Sequence, residues 1–136
     1  YEMLETTRFI SRHNLSNFRF NPHFPINSIT LMRGLIAAQK LDLEHIYLNA
    51  VLSAMWEHEL KMDDPEIAIS IWNNAGLDGE KIMNMTQKDE IKNILKENTD
   101  AAVNRGVFGV PTFFVESEIF FGKERLGQVE EALGAR

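Results

Sequence analysis

The sequence predicts an α+β fold, and three observations support this prediction. Residues 27–105 carry apolar side chains at an almost uninterrupted helical spacing. Short alternating or apolar runs at residues 17–20 and 112–121 are typical of strands. The predicted order is helix, strand, about five helices, hairpin and helix, which indicates a helical insertion between an early strand and a late hairpin.

The first segment predicts one helix, one strand and a rigid connection. A stripe of apolar residues spaced like one face of a helix begins at Tyr1, and the helix ends at Asn14, a residue that tolerates the left-handed conformation. Asn17–Phe20 alternates in polarity and predicts a strand that Pro22 closes. Asn21–Asn27 contains two prolines, which predicts an extended connection.

The central region predicts five helices, each introduced by a residue that can cap a helix. A side-chain oxygen at this position accepts a hydrogen bond from a backbone N–H of the first turn. The predicted caps are Asn27 or Ser28, Asp42, Asp64 followed by Pro65, Asp78 and Thr86.

The character of the sequence changes at Gly106. Residues 106–111 are rich in turn formers, and Thr112–Val115 predicts a buried strand. Glu116–Glu118 turns the chain into a second strand, Ile119–Phe121, so the pair is a hairpin. A last helix follows, with Leu126, Val129 and Leu133 facing inward.

Composition excludes several classes of protein. The 136 residues have a formal net charge of −6 and lack a basic patch, which argues against a nucleic-acid partner. There is no cysteine, so these residues hold no disulfide and no thiolate, and the histidine spacing predicts no metal site. No apolar run approaches the roughly 18 residues that span a bilayer. We expect a cytoplasmic protein without membrane contact.

Three segments in this order resemble a known family. They are Asn21–Ser28 with Arg33 on the following helix, Gly106–Val115, and Phe120–Leu126. Together they resemble the 2-hydroxychromene-2-carboxylate isomerases and the kappa-class glutathione transferases, which have a DsbA-like thioredoxin fold. The resemblance runs from Tyr1 to about Leu133 and implies a homodimer.

The resemblance implies a division of the chain and a missing segment. Residues 1–26 and 106–136 would form an incomplete thioredoxin-like part, and residues 27–105 an inserted helical domain. In the family, a strand and a helix bearing the catalytic serine precede the position of Tyr1, so no catalytic residue is assigned here. We expect an open slot for that strand between Phe18–Phe20 and Phe113–Val115, which could be filled by another copy.

The resemblance also implies a glutathione site. It implies a cis peptide between Val110 and Pro111, which turns the Val110 N–H and C=O outward to pair with the cysteinyl unit of glutathione. Lys123, Glu124 and Arg125 stand where the family grips the γ-glutamyl end, the acid pairing with its ammonium and Arg125 with its carboxylate. The family has serine and aspartate at the first two of these positions.

Alternatives remain open at this stage. The resemblance implies that the intact protein is a glutathione-dependent isomerase or transferase acting on a small electrophile or an aromatic-degradation intermediate. It could instead be a DsbA-like disulfide oxidoreductase with its Cys-x-x-Cys upstream, or a binding remnant without catalysis. His23, Phe24 and Pro25 either line a second-substrate pocket or pack a corner, and Arg33 is expected in a structural ion pair.

Overall fold

The computed structural model describes residues 1–134, which form seven helices and one hairpin. The elements in chain order are α1 (Glu2–Arg12), α2 (Ile29–Lys40), α3 (Glu44–Trp56), α4 (Pro65–Asn74), α5 (Gly79–Thr86), α6 (Asp89–Asn104), β1 (Thr112–Val115), β2 (Glu118–Phe121) and α7 (Leu126–Gly134). A 3₁₀ turn, Lys123–Arg125, precedes α7. No strand lies within residues 27–105, so the prediction of an all-helical span is confirmed.

The chain divides into two compact units, and the boundary between Leu95 and Lys96 falls within α6. The first unit runs from Tyr1 to Leu95, and the second begins at Lys96. The division into residues 1–26 with 106–136 and residues 27–105 stays a prediction.

The core of the first unit lies among α2, α3, α4 and α5. Tyr47 and Trp72 are 1% and 0% exposed, and their ring centroids lie 5.5 Å apart. The Tyr47 hydroxyl donates a 2.6 Å hydrogen bond to the Leu31 carbonyl, and burial raises the pKa of Tyr47. A Cβ on Gly34 would lie 2.3 Å from this hydroxyl oxygen, so only glycine allows α2 to approach the tyrosine so closely.

Two aspartate caps are confirmed. Asp64 accepts a hydrogen bond from the Glu66 N–H at 3.0 Å, with Pro65 as the first helical residue of α4. Asp78 accepts from the Lys81 N–H at 3.1 Å and begins α5.

Two other predicted caps are wrong. Asp42 has a φ of +59° and lies one residue before Leu43, which is the N-cap of α3. Thr86 is the last residue of α5, and its hydroxyl donates to the Met83 carbonyl at 2.6 Å. The exposed Asp42 precedes the N-cap position, and the Thr86 hydroxyl is already bonded within α5, as short polar side chains often bond to nearby backbone groups. α6 therefore begins at Asp89.

The predicted strand at Asn17–Phe20 is also wrong. Its backbone bonds to a helix and not to another strand. The Arg19 N–H donates to the Trp56 carbonyl at 2.6 Å. The Arg19 guanidinium donates to the carbonyls of Ser16 and Phe18, both at 2.9 Å, which occupies acceptors that a ladder would need. The slot was expected between a strand at this segment and the strand at Phe113–Val115, and the described structure forms only the second of these strands.

The second unit is built on the predicted hairpin. β1 pairs with β2 in antiparallel register from Thr112 opposite Phe121 to Val115 opposite Glu118, and the turn residues are Glu116 and Ser117. The second strand begins one residue earlier than predicted. Arg105 stacks over Phe114, with its guanidinium carbon 3.7 Å from the ring centroid.

Candidate functional site

The hairpin brings the two predicted halves of the glutathione site together. The Gly122 N–H donates a 2.9 Å hydrogen bond to the Pro111 carbonyl, which extends the β1–β2 ladder by one position. Pro111 therefore lies opposite Gly122, one residue before the Lys123–Arg125 turn. All five predicted residues lie in the second unit at one end of this hairpin.

Val110 presents its backbone to solvent. The Val110–Pro111 peptide is cis, as is Phe24–Pro25. The Thr112 hydroxyl donates to the Gly109 carbonyl at 2.6 Å, so the turn is fixed on both sides of Val110. Val110 itself is 86% exposed, and neither its N–H nor its C=O bonds to any residue from 1 to 134. The turn thus leaves one backbone donor and one backbone acceptor without a partner among the described residues.

The edge of β1 beside this turn also has backbone groups that do not bond to a neighbouring strand. In an antiparallel ladder, hydrogen-bonded pairs alternate with pairs whose backbone groups face away from the partner strand. Since Pro111 and Gly122 form a bonded pair, the backbone groups of Thr112 and Phe114 face away from β2. The described residues supply no third strand to this sheet, so the β1 edge is open.

Glycines allow the close contacts of this hairpin end. A Cβ on Gly109 would lie 2.8 Å from the Phe121 ring, which itself packs against Phe108 with centroids 4.7 Å apart. Gly122 has a φ of +99°, a conformation that other residues rarely adopt. Both glycines lie in the sequence segments that resemble the family, but their part in shaping the site was not predicted.

The Lys123–Arg125 turn carries charges of both signs. The Lys123 ammonium forms an ion pair with Glu124, which holds the pKa of that carboxyl below its ordinary value. The Arg125 guanidinium is exposed and forms no ion pair with residues 1–134. The turn thus offers an ionised carboxylate and an available guanidinium, the two groups that an amino acid end requires.

We expect Lys123→Ala to raise the pKa of Glu124 toward the ordinary glutamate value, because the substitution removes the main group that stabilises the carboxylate. In the native chain the lowered pKa keeps Glu124 charged as the pH falls, and the contact is lost only as the pH drops through that folded-state value. An NMR titration of the Glu124 carboxyl carbon measures this shift. Lys81→Ala, at an exposed lysine of α5, is the control, and an unchanged Glu124 pKa in Lys123→Ala would contradict the assignment.

The other residues considered in the sequence analysis, His23, Phe24 and Arg33, lie in the first unit. Phe24 is 62% exposed and its ring lies 5.7 Å from that of Trp56, while His23 donates its backbone N–H to the Asn21 side chain. Whether these residues line a second-substrate pocket stays a prediction. The ion pair expected for Arg33 is wrong, because no carboxylate within residues 1–134 pairs with its guanidinium, and its Nε is buried without a hydrogen-bond partner there.

The described residues contain neither a metal-binding cluster nor a membrane-spanning helix. Within residues 1–134, no group of three or more acidic or histidine side chains is arranged to hold a metal ion. No helix in the same range has both the length and the apolar character needed to cross a membrane.

The described residues combine seven helices with one antiparallel hairpin, and the turn before the hairpin contains Val110–Pro111. Residues 2–134 match the model of the DSBA-like thioredoxin domain, and the chain belongs to that family. The α+β thioredoxin-like fold class predicted from the resemblance is confirmed.

The relatives of this chain carry the names that the sequence resemblance predicted. The 2-hydroxychromene-2-carboxylate isomerase of Pseudomonas sp. (strain C18) is 30% identical over 108 residues, which are 79% of this chain and 51% of the relative. Human glutathione S-transferase kappa 1 is 26% identical over 132 residues, which are 84% of this chain and 58% of the relative. The chain spans about half the length of the curated relatives that it matches.

A solved structure with the name of one of these relatives is similar in fold to this chain. The selenomethionine structure of a 2-hydroxychromene-2-carboxylate isomerase superposes with a TM-score of 0.82 at 26% identity. The match covers 99% of this chain and 65% of the other. The resemblance read from the three sequence segments is therefore confirmed at the level of the family.

Proposed function

We propose that this chain supplies the glutathione-binding part of an isomerase or transferase that uses glutathione. The observation that carries the proposal is the 2.9 Å hydrogen bond from the Gly122 N–H to the Pro111 carbonyl. It makes the unbonded backbone of Val110 a neighbour of the charged Lys123–Arg125 turn. Backbone pairing and charge recognition are thereby available to one small peptide.

Glutathione matches both features. Its cysteinyl unit has an amide N–H and a carbonyl that can pair with Val110 as an added strand pairs with an edge. Its γ-glutamyl end carries an ammonium for Glu124 and a carboxylate for Arg125. Lys123 already forms an ion pair with Glu124. The ammonium of the ligand must therefore share that carboxylate or displace the lysine.

The relatives support an isomerase or transferase reaction for the intact protein. Those named above are a 2-hydroxychromene-2-carboxylate isomerase and a kappa-class glutathione transferase. We infer that the bound glutathione acts as a thiolate on a small electrophile or an aromatic-degradation intermediate. The 136 residues include no cysteine, so a disulfide oxidoreductase would need both of its thiols elsewhere.

We expect Arg125→Ala to weaken glutathione binding by about 1.5–3 kcal/mol, because a charge-assisted hydrogen bond to the ligand carboxylate is lost. Titration calorimetry on the full-length protein measures the affinity. Arg12→Ala, at an exposed arginine in the last turn of α1, should leave it unchanged. Absence of glutathione binding to the full-length protein would reject the proposal.

The proposal also includes a cytoplasmic homodimer. A chain without cysteine is compatible with a reducing compartment. Light scattering coupled to gel filtration gives the molar mass in solution, and a monomer at micromolar concentration would contradict the dimer.

A further inference from the structure

The turn before β1 carries an exposed aromatic ring, that of Phe108. This side chain is 77% exposed, which makes it the most exposed phenylalanine of the described residues. A single exposed apolar residue is ordinary on a protein surface. Phe108 is different because it lies only two positions before Val110, whose unbonded backbone belongs to the proposed glutathione site.

Contacts within the second unit hold this ring in place. The Phe108 ring packs against Phe121 on β2, with the two centroids 4.7 Å apart. A Cβ on Gly109 would lie 2.8 Å from the Phe121 ring, so the backbone after Phe108 runs close against that ring. The Gly109 carbonyl accepts from the Thr112 hydroxyl at 2.6 Å, which ties the same turn to β1. Because the ring is held before a ligand arrives, binding to it requires little ordering of the protein.

The ring lies within reach of a group attached to the sulfur of glutathione. Two residues of extended chain span at most about 7 Å, so the Cα atoms of Phe108 and Val110 are no farther apart than this. A peptide that pairs with the Val110 backbone lies one strand spacing away, about 4.8 Å. One methylene separates the cysteinyl sulfur from its own Cα, so a substituent on the sulfur can extend to the Phe108 ring.

The chemistry of these rings selects an aryl group. The Phe108 and Phe121 side chains have no charge and no hydrogen-bonding group, so they offer ring faces and edges alone. They attract another ring more strongly than a small alkyl group, because more apolar area is buried and a ring edge can meet a ring face. We propose that Phe108 binds the aryl group of an electrophile joined to the glutathione sulfur, and so determines a preference for aromatic second substrates. This inference rests on the glutathione site of the proposed function.

The test compares two glutathione conjugates, S-benzylglutathione and S-methylglutathione, by titration calorimetry on the full-length protein. Both contain the same peptide, so the ratio of their affinities reports on the group attached to the sulfur. We expect the benzyl conjugate to bind about tenfold more tightly. Phe108→Ala should reduce this ratio to about twofold and leave the affinity for S-methylglutathione unchanged. Phe108→Tyr retains the ring and should retain the ratio.

A matched control and the two conjugates separate this inference from the proposed function. Val103→Ala removes an exposed apolar side chain of α6 in the same unit, and it should leave both affinities unchanged. Equal affinities for the two conjugates, an unaltered ratio in Phe108→Ala, or an equal loss for both conjugates in that variant would each overturn the role of Phe108 and leave the proposed function standing. Absence of binding by either conjugate would reject both.

Discussion

Replacing Trp72 with alanine should lower the free energy of unfolding by about 3–5 kcal/mol. Trp72 is fully buried on α4, packs against Tyr47 and belongs to a core shared by four helices. Its indole Nε1 has no hydrogen-bond partner in the described structure, so the loss comes from removed apolar contacts and the cavity left behind. Urea unfolding followed by circular dichroism measures the change.

Two controls test whether burial is the cause. Trp72→Phe leaves a smaller cavity and also removes the unpartnered N–H, so it should cost less than Trp72→Ala. Trp56→Ala removes a half-buried ring at the end of α3 and should likewise cost less. An equal loss at positions 56 and 72 would contradict a core centred on Trp72.

Replacing Asn21 with alanine should destabilise the first unit by about 2–4 kcal/mol. The Asn21 amide is 6% exposed and donates to the carbonyls of Met55 at 2.9 Å and Leu60 at 2.8 Å. Its oxygen accepts from the His23 N–H at 2.7 Å. Alanine leaves two acceptors and one donor without their partner in the protein, and each buried orphan group is costly.

The matched control is Asn93→Ala at an exposed position of α6, which should change stability by less than about 0.5 kcal/mol. Hydrogen exchange supplies a second measurement, since the His23 amide should lose protection in Asn21→Ala. A loss no larger than that of Asn93→Ala, with the His23 amide still protected, would show that this network contributes little.

Much of the candidate glutathione site was predictable from sequence. Val110, Pro111 and the triplet Lys123–Arg125 were marked by segments that resemble the family, and the hairpin between them was predicted from alternation and turn residues. A hairpin register fixes which residues face each other, so the Pro111–Gly122 pairing follows once the turn is known. The contribution of Thr112, which holds the turn through the Gly109 carbonyl, was not predicted.

A cleft of about 610 Å³ lies between residues 14–18 and the C-terminal half of α3, and it was not predicted from the sequence. Its α3 wall mixes polar and apolar residues in one stripe, and such a stripe is typical of an ordinary surface helix. The second wall is formed by residues 14–18, of which only Asn17 and Phe18 belong to the segment that was interpreted as a strand. Only the observed path of residues 14–18 shows that the two walls face each other.

The sequence by itself determined the features that depend on short-range chemistry. The Asp64–Pro65 helix start, the Asp78 cap and the β1–β2 hairpin each arise from residues within a few positions of one another, so local hydrogen bonds and backbone preferences suffice. Tertiary structure decided the rest. Residues 17–20 have a strand pattern, yet a strand requires a partner, and their backbone bonds instead to α3 and to the Arg19 side chain. Thr86 was predicted to cap α6, but it is the last residue of α5, where its side chain is fully buried and its hydroxyl donates to the Met83 carbonyl.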